Sequence, residues 1–300
     1  MKVKIKKDLY QDFTDQVIKQ MENNNMNWFK PFTTSILNGH HNVISKKCYQ
    51  GLNCFSIGLS VHNNGFKSNE WATFNQWKNL GANVLKSSKG TSILYWNIKE
   101  YEDKNNKDKK IKIPMLRYFV VFNADQVEGY ETKEIDTKEI DEWKAHFKTD
   151  TFVKNTNANV QVNNKAFYSP NGDFIGMPSK EDFKGDKENT KEQYYYSTLL
   201  HELTHWTGHS SRCNRDLQNR FGSKAYAMEE LVAEIGSAFL CSHLGITKTP
   251  TPNHARYLNN WLDVLKEDKK AIFKAFSLSK VSSEYLLELD EEEEKEKEVA

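Results

Sequence analysis

Apolar positions follow different periods along the chain. In residues 8–24 (DLYQDFTDQVIKQMENN), Leu9, Phe13, Val17 and Met21 recur every fourth position, one face of an amphipathic helix, and Asn23, Asn24 and Asn25 then break it. From about residue 45 to 125 the pattern shortens. The runs 91–98 (TSILYWNI) and 116–122 (LRYFVVF) predict buried strands, and 70–80 (EWATFNQWKNL) predicts a short aromatic-rich helix. The polar, lysine-rich 99–112 (KEYEDKNNKDKKIK) suits a hairpin tip or loop. In 159–177, Val160 and Val162, Phe167 and Tyr168, and Phe174 and Ile175 predict short strands around the turn Pro170-Asn171-Gly172. Helical patterns follow at about 190–207, 224–244, 252–267 and 268–276. No fixed-period repeat is present. The fold class is therefore α+β in two domains. Residues 1–125 form an α+β domain, 126–150 a charge-rich linker, and 151–289 a mainly helical domain with a small sheet. The acidic, low-complexity tail 290–300 is expected to be disordered.

A chain of 300 residues can bury two cores of ordinary size, so neither a disulfide nor a structural metal is needed merely to fold. Mean hydropathy is low, −0.77, yet 17 Phe, 13 Tyr and 7 Trp exclude a largely disordered chain. No apolar run approaches the ~20 residues of a membrane span, so no membrane partner is expected. The basic N-terminus has no apolar stretch behind it, and no signal peptide is expected. Cys48, Cys54, Cys213 and Cys241 form no CxxC pair, which fits a reduced, cytoplasmic protein. The net charge of +1 hides an asymmetry: residues 1–125 carry 19 Lys and Arg against 10 Asp and Glu, and the last eleven carry 2 against 7. A basic first part joined to a near-neutral second part suggests two tasks.

The chemistry concentrates in 196–209, YSTLLHELTHWTGH, which contains the HExxH His201-Glu202-Leu203-Thr204-His205. On a helix, residues four apart lie about 40° around the axis and ~6 Å along it. Two imidazoles at that spacing can close on one Zn²⁺, and Glu202 then stands where it can take a proton from the attacking water. Bare HExxH also occurs on surface helices. Here Tyr195 to Leu200 are mostly aromatic or apolar, which points to a buried helix, and buried unpaired imidazoles would be unfavourable.

A third ligand is required. The HExxHxxGxxH pattern holds through Gly208, but Ser211 stands in the third-histidine position, so a simple metzincin is excluded. His209 falls past the expected helix stop at Gly208 and reads as a neighbouring or surface residue. The better candidates lie in 226–240, YAMEELVAEIGSAFL, where Glu230 and Glu234 share a helical face. In zincins with a glutamate ligand, that residue comes from a second helix downstream. We assign Glu230 as ligand and Glu234 as its supporting acid, with the reverse as the alternative. Glu229, about 100° away, is expected to face solvent.

The stretches YYYSTLLHELTHWTGHSSRCNRD, YAMEELVAEIGSAFL, HARYLNNWLDVLKEDKKAIFKAF (254–276) and FYSPNGDFIGMP (167–178) resemble the metallopeptidase domain of ArdC-type antirestriction proteins. Residues 71–96 and 117–129 are similar to the N-terminal single-stranded-DNA-binding domain of that family, which plasmid conjugation primases share. The resemblance spans about residues 8–287. It implies a plasmid, phage or other mobile-element protein that binds single-stranded DNA through residues 1–125, protects incoming DNA from restriction, and carries a zinc-dependent peptidase-like domain. It also implies a strand at 167–178 beside the substrate cleft.

Single strands are held by basic grooves with aromatic platforms. The candidates are Lys46, Lys47 and Tyr49, then Lys86 and Lys89 near Gly90, then Arg117 and the neighbouring Tyr118. Trp71, Phe74 and Trp77, at helical spacing, read first as core. For Tyr49 and the lysines near Gly90, packing and DNA contact both stand open. Two other functions remain in play: an intracellular zinc protease recruited to DNA or DNA-bound proteins, acting on a protein or peptide, and a non-catalytic protein stabilised by zinc. An intact Glu202 argues against the last.

Overall fold

The computed structural model describes residues 8–24, 28–103, 106–135, 142–217, 222–249 and 254–299. The chain begins with helices α1 (Leu9–Asn24) and α2 (Lys30–Leu37). There follow β1 (His41–Asn42), α3 (Leu52–Asn64), β2 (Glu70–Thr73), α4 (Phe74–Asn79), β3 (Asn83–Val84), β4 (Thr91–Asp103), β5 (Asn106–Asn123) and β6 (Val127–Glu128). The rest comprises α5 (Glu142–Asn155), β7 (Val160–Val162), β8 (Phe167–Ser169), β9 (Phe174–Met177), α6 (Lys191–Trp206), α7 (Lys224–Leu244), α8 (His254–Glu267) and α9 (Ala271–Val299). Two α+β units result. One comprises residues up to 37 together with those from 138 onward, and the other residues 38–137.

That division differs from the expected boundary at 125. The Phe13, Val17 and Met21 face of α1 needs an apolar partner, and it finds one in the C-terminal helices. Phe13 meets Phe273 edge-on with centroids 5.5 Å apart, and the Thr14 hydroxyl donates to the Lys269 carbonyl at 2.8 Å. From α2, Phe32 packs edge-on against Phe239 of α7 and Phe276 of α9. The expected linker 126–150 contains β6 and the start of α5, whose Ala145, Thr149 and Phe152 are buried. The acidic segment expected to be disordered continues α9 through Val299. Glutamate and lysine are good helix formers, and Asn155 holds this end of the helix by donating to Asp290 at 2.7 Å.

Residues 38–137 build a four-stranded sheet of order β1-β2-β5-β4 and a separate β3-β6 pair. The predicted helix 70–80 divides at Thr73. Residues 70–73 pair with β5, and the Thr73 and Gln76 side chains form a capping box that starts α4. Trp71 and Trp77 are fully buried, as their core reading requires, but they come from two elements, and Phe74 between them is exposed. The segment 99–112 is mostly strand: β4 and β5 stay paired from Thr91–Val121 out to Glu102–Lys110. The turn itself, 104–105, lies outside the described residues.

In the other unit, α6 lies between α7 and a small sheet of order β7-β9-β8. Leu199, Leu200 and Leu203 of α6 share a core with Ile175 and Met177 of β9 and Leu240 and Leu244 of α7. A capping box of Thr190 and Gln193 fixes the start of α6. Ser223 accepts from the Tyr226 N–H and fixes the start of α7. Among the described residues, no helix is long and apolar enough to cross a membrane.

Candidate metal centre

His201 and His205 sit one turn apart on α6, and Glu230 reaches them from the second turn of α7. The three are buried, and they are the one group of at least three His, Cys, Asp or Glu among the described residues whose ligand atoms lie within 4.8 Å of one another. Nε2 of His201 is 3.4 Å from Glu230 Oε2, and Nε2 of His205 is 3.6 Å from Glu230 Oε1. Both imidazoles thus turn the same nitrogen toward one carboxylate.

Their other nitrogens are held from behind. His205 Nδ1 bonds Glu229 Oε1 at 3.0 Å. A carboxylate can only accept, so Nδ1 carries the hydrogen and the Nε2 lone pair is left for a cation. Arg215 grips Glu229 with two bonds of 2.8 and 2.9 Å and also donates to the Thr204 carbonyl at 2.8 Å. On the other side, His201 Nδ1 faces Glu234 Oε2 at 3.4 Å, and Lys248 Nζ lies 2.9 Å from Glu234 Oε1. Each of the two histidines is therefore backed by a carboxylate, and each carboxylate by a buried cation. Such pairing keeps two buried negative charges from accumulating unopposed.

This corrects the expectation that Glu229 faces solvent: only 11% of its side chain is exposed, and it bonds His205 Nδ1. An angle of 100° leads to solvent only on a half-buried helix, and the residues of α7 from Leu231 to Ala238 are all buried. Arg215 and Lys248 were not singled out from sequence either. Gly208 follows the end of α6 at Trp206 and its cap at Thr207, where a helix stop is expected, and it has a second role. A Cβ at Gly208 would stand 2.9 Å from Arg215 Nη2, so glycine clears the path of that side chain. His209 lies outside the cluster and pairs with Ser211 at 2.7 Å.

Burial lowers the basicity of His205, but Glu230 and Glu229 outweigh it and raise the imidazole to about 10. Burial raises the Glu230 carboxyl, but His205 and His201 overcome it and hold Glu230 well below the usual carboxylate range. Without an ion, His205 and Glu230 hold a proton between them across the Nε2–carboxylate contact, and a divalent cation would take that proton's place. Burial also raises the Glu202 carboxyl, with His201 and His205 opposing. Glu202, His201, His205, Glu230, Tyr168 and Tyr226 line a cleft of about 1240 Å³. Its wall includes β8, an edge strand of the small sheet, in the place expected for a cleft-side strand.

The approach of α7 to α6 depends on Gly236. A Cβ there would lie 2.5 Å from Thr204 Cγ2, and Thr204 stands between the two histidines. Gly236→Ala should force the helices apart, destabilise the fold by about 1–3 kcal/mol, and weaken metal binding. Thermal melting with and without metal checks this, and an unchanged melting temperature in both states would show that the approach is not tight.

The sequence-predicted DNA residues are spread over three segments. Lys46 and Lys47 are exposed in the turn after β1, although Lys46 Nζ lies 3.6 Å from the buried Glu70 carboxylate. Lys86 and Lys89 are exposed between β3 and β4, and Arg117 is exposed on β5. Gly90 passes over β5 where a Cβ would clash with Val120 and Phe122. Tyr49 packs against Ile57, Trp71 and Val121, and its hydroxyl is enclosed; burial raises that hydroxyl to about 12. Of the two readings open for Tyr49, packing describes the ring better than stacking on a base.

Comparison with known proteins places these features together. Residues 7–122 match the N-terminal domain of the anti-restriction factor ArdC, and residues 147–278 match a zincin-like metallopeptidase domain, MPTase-PolyVal. The chain is 32% identical to protein y4eC of Sinorhizobium fredii, over 93% of its own length and 91% of that protein's. It is 30% identical to a DNA primase TraC of Escherichia coli over 96% of its own length but only 20% of the primase. The metal-free crystal structure of the antirestriction ArdC protein from plasmid R388 superposes with a TM-score of 0.76 at 34% identity, covering 95% of this chain and 99% of that one. The Mn(II)-bound structure of the same protein gives 0.73 at 32% identity, covering 95% and 98%. With both domain types present in order and a relative matched almost end to end, the chain belongs to the ArdC antirestriction family.

Proposed function

We propose that this protein binds single-stranded DNA through its basic N-terminal part, acts as an antirestriction factor of a mobile element, and carries a metal-dependent peptidase site at His201, His205 and Glu230. The observation that carries the peptidase reading is the convergence of these residues with Glu202 in one open cleft. Two histidine nitrogens and a carboxylate oxygen are the donor set of many catalytic zinc sites, so zinc is the first expectation. The manganese-bound R388 structure makes manganese the alternative. When bound, the ion supplies Lewis acidity that polarises a carbonyl and makes a water easier to deprotonate. Glu202 is the proton acceptor, and its burial-raised carboxyl is a better base than an exposed one. Glu230, Glu229 and Glu234 fix the ligand geometry. Strand β8 offers backbone groups to an extended polypeptide in the cleft. A site that served only to hold the fold together would need no carboxylate in the position of Glu202, which favours catalysis over the structural reading.

The DNA reading is tested on the full chain. Binding to single strands should exceed binding to duplex of equal length and fall steeply with salt, with a log–log slope of about −0.7 per phosphate neutralised. Replacing Lys86 and Lys89 together by glutamine should flatten that slope. Preference for duplex, or affinity indifferent to salt, would refute the reading.

A further inference from the structure

Strands β4 and β5 carry an aromatic pair that folding leaves uncovered. Ile93 pairs directly with Phe119, and Tyr95 with Arg117. Direct cross-strand partners share a face, as do residues two apart along a strand. Ile93, Tyr95, Arg117 and Phe119 therefore lie together. At its inner end this face belongs to the core: Ile93 packs with Val121, Ile57 and Trp71. One step outward the covering stops, and Tyr95 is 51% and Phe119 43% exposed. Their rings meet at 5.9 Å and 73°, edge to face. Arg117, across from Tyr95, is exposed as well.

Single exposed aromatics are common. Two in contact beside a guanidinium, on one face of a sheet, are a more specific feature. Trp71 and Trp77 are fully buried and Tyr49 is packed; of the other exposed rings, Phe74 is on α4 and Tyr118, across from Leu94, is on the opposite face of β5. We propose that Tyr95 and Phe119 form a stacking platform for unpaired bases, with Arg117 contacting the adjacent phosphate. This rests on the reading that the N-terminal part binds single-stranded DNA, and it names where the bases go. The chemistry favours a nucleic-acid strand over a protein partner. Every base offers a π-face, stacking on aromatic side chains is tolerant of sequence, and the neighbouring cation complements the backbone. Paired bases hide their faces inside the duplex, so the platform supplies a preference that charge alone does not.

The test uses full-length protein, an oligothymidine, and a duplex of equal length. Tyr95→Ala and Phe119→Ala should each weaken binding to the single strand about 5- to 150-fold, the equivalent of ~1–3 kcal/mol per stacked base, with the salt slope unchanged. Tyr95→Phe and Phe119→Tyr keep the rings and should bind like wild type. Arg117→Gln should instead reduce the slope by about 0.7. Duplex binding should not respond to the alanine variants. Photo-crosslinking of wild-type protein to 5-iodouracil-substituted strands should label Tyr95 or Phe119, a readout that needs no variant to fold. Alanine variants that bind like wild type, equal losses on duplex, or crosslinks confined to other residues would overturn the platform and leave the wider reading standing. Wild-type protein that does not bind single strands would overturn both.

Discussion

Purified wild-type protein should hold one divalent ion per chain, and His205→Ala should hold none after dialysis. The loss is expected to be complete because His205 does more than donate one nitrogen. Its Nδ1 bond to Glu229 connects the site to Arg215, and its Nε2 stands 3.6 Å from Glu230. Removing the ring leaves Glu230 without the neighbour that does most to hold it ionised. A lone imidazole and carboxylate on two helices then remain to bind the metal. His201→Ala should behave likewise, since it leaves Glu234 and Lys248 facing an empty space. His209→Ala is the matched control: that side chain pairs with Ser211 outside the cluster, so metal content should not change. Elemental analysis checks all three. Wild-type metal content in either of the first two variants would contradict the ligand assignment.

Glu202→Gln should separate metal binding from catalysis. Glutamine is nearly isosteric with glutamate and removes no proposed ligand. The variant should keep its fold, its metal and its affinity for single-stranded DNA. It cannot accept a proton, so cleavage of an unfolded protein probe such as casein should fall by about 10²–10⁴. The comparison is made at matched metal content, which removes occupancy as an explanation. Equal cleavage by the two proteins would exclude Glu202 as the base. Because the burial-raised carboxyl must be ionised to act, wild-type activity should rise with pH through a value above that of an ordinary glutamate.

The chemical centre was legible in the sequence because helical geometry converts spacing into proximity. His201, Glu202 and His205 come from a single turn, and Glu230 and Glu234 from another. Their supports were harder to see. Arg215 reaches Glu229 from a loop 14 residues away, and Lys248 reaches Glu234 from beyond the end of α7. No short-range pattern announces either contact. One signal was present: α7 is apolar almost all round, so an acid on it needs a buried partner wherever it points. The domain boundary shows a similar limit. The spacing of Phe13, Val17 and Met21 says that α1 needs an apolar partner but not which one, and the partner proved to be some 250 residues distant in the C-terminal helices. At 71–77 the aromatic spacing imitated a helix, while the capping pair Thr73 and Gln76 marked the true start. Tyr49 and Tyr95 show that aromatic type alone cannot distinguish a ring that fills the core from one left on the surface.

The most direct test of the functional claim is the transfer of unmodified DNA by conjugation into a restricting host, with and without this chain supplied. Recovery is normalised to an isogenic host lacking the restriction enzyme. Wild-type protein should raise normalised recovery, and a variant with Tyr95, Phe119, Lys86 and Lys89 replaced by alanine should raise it less. Unchanged recovery with folded, metal-loaded protein present in the recipient would contradict an antirestriction role.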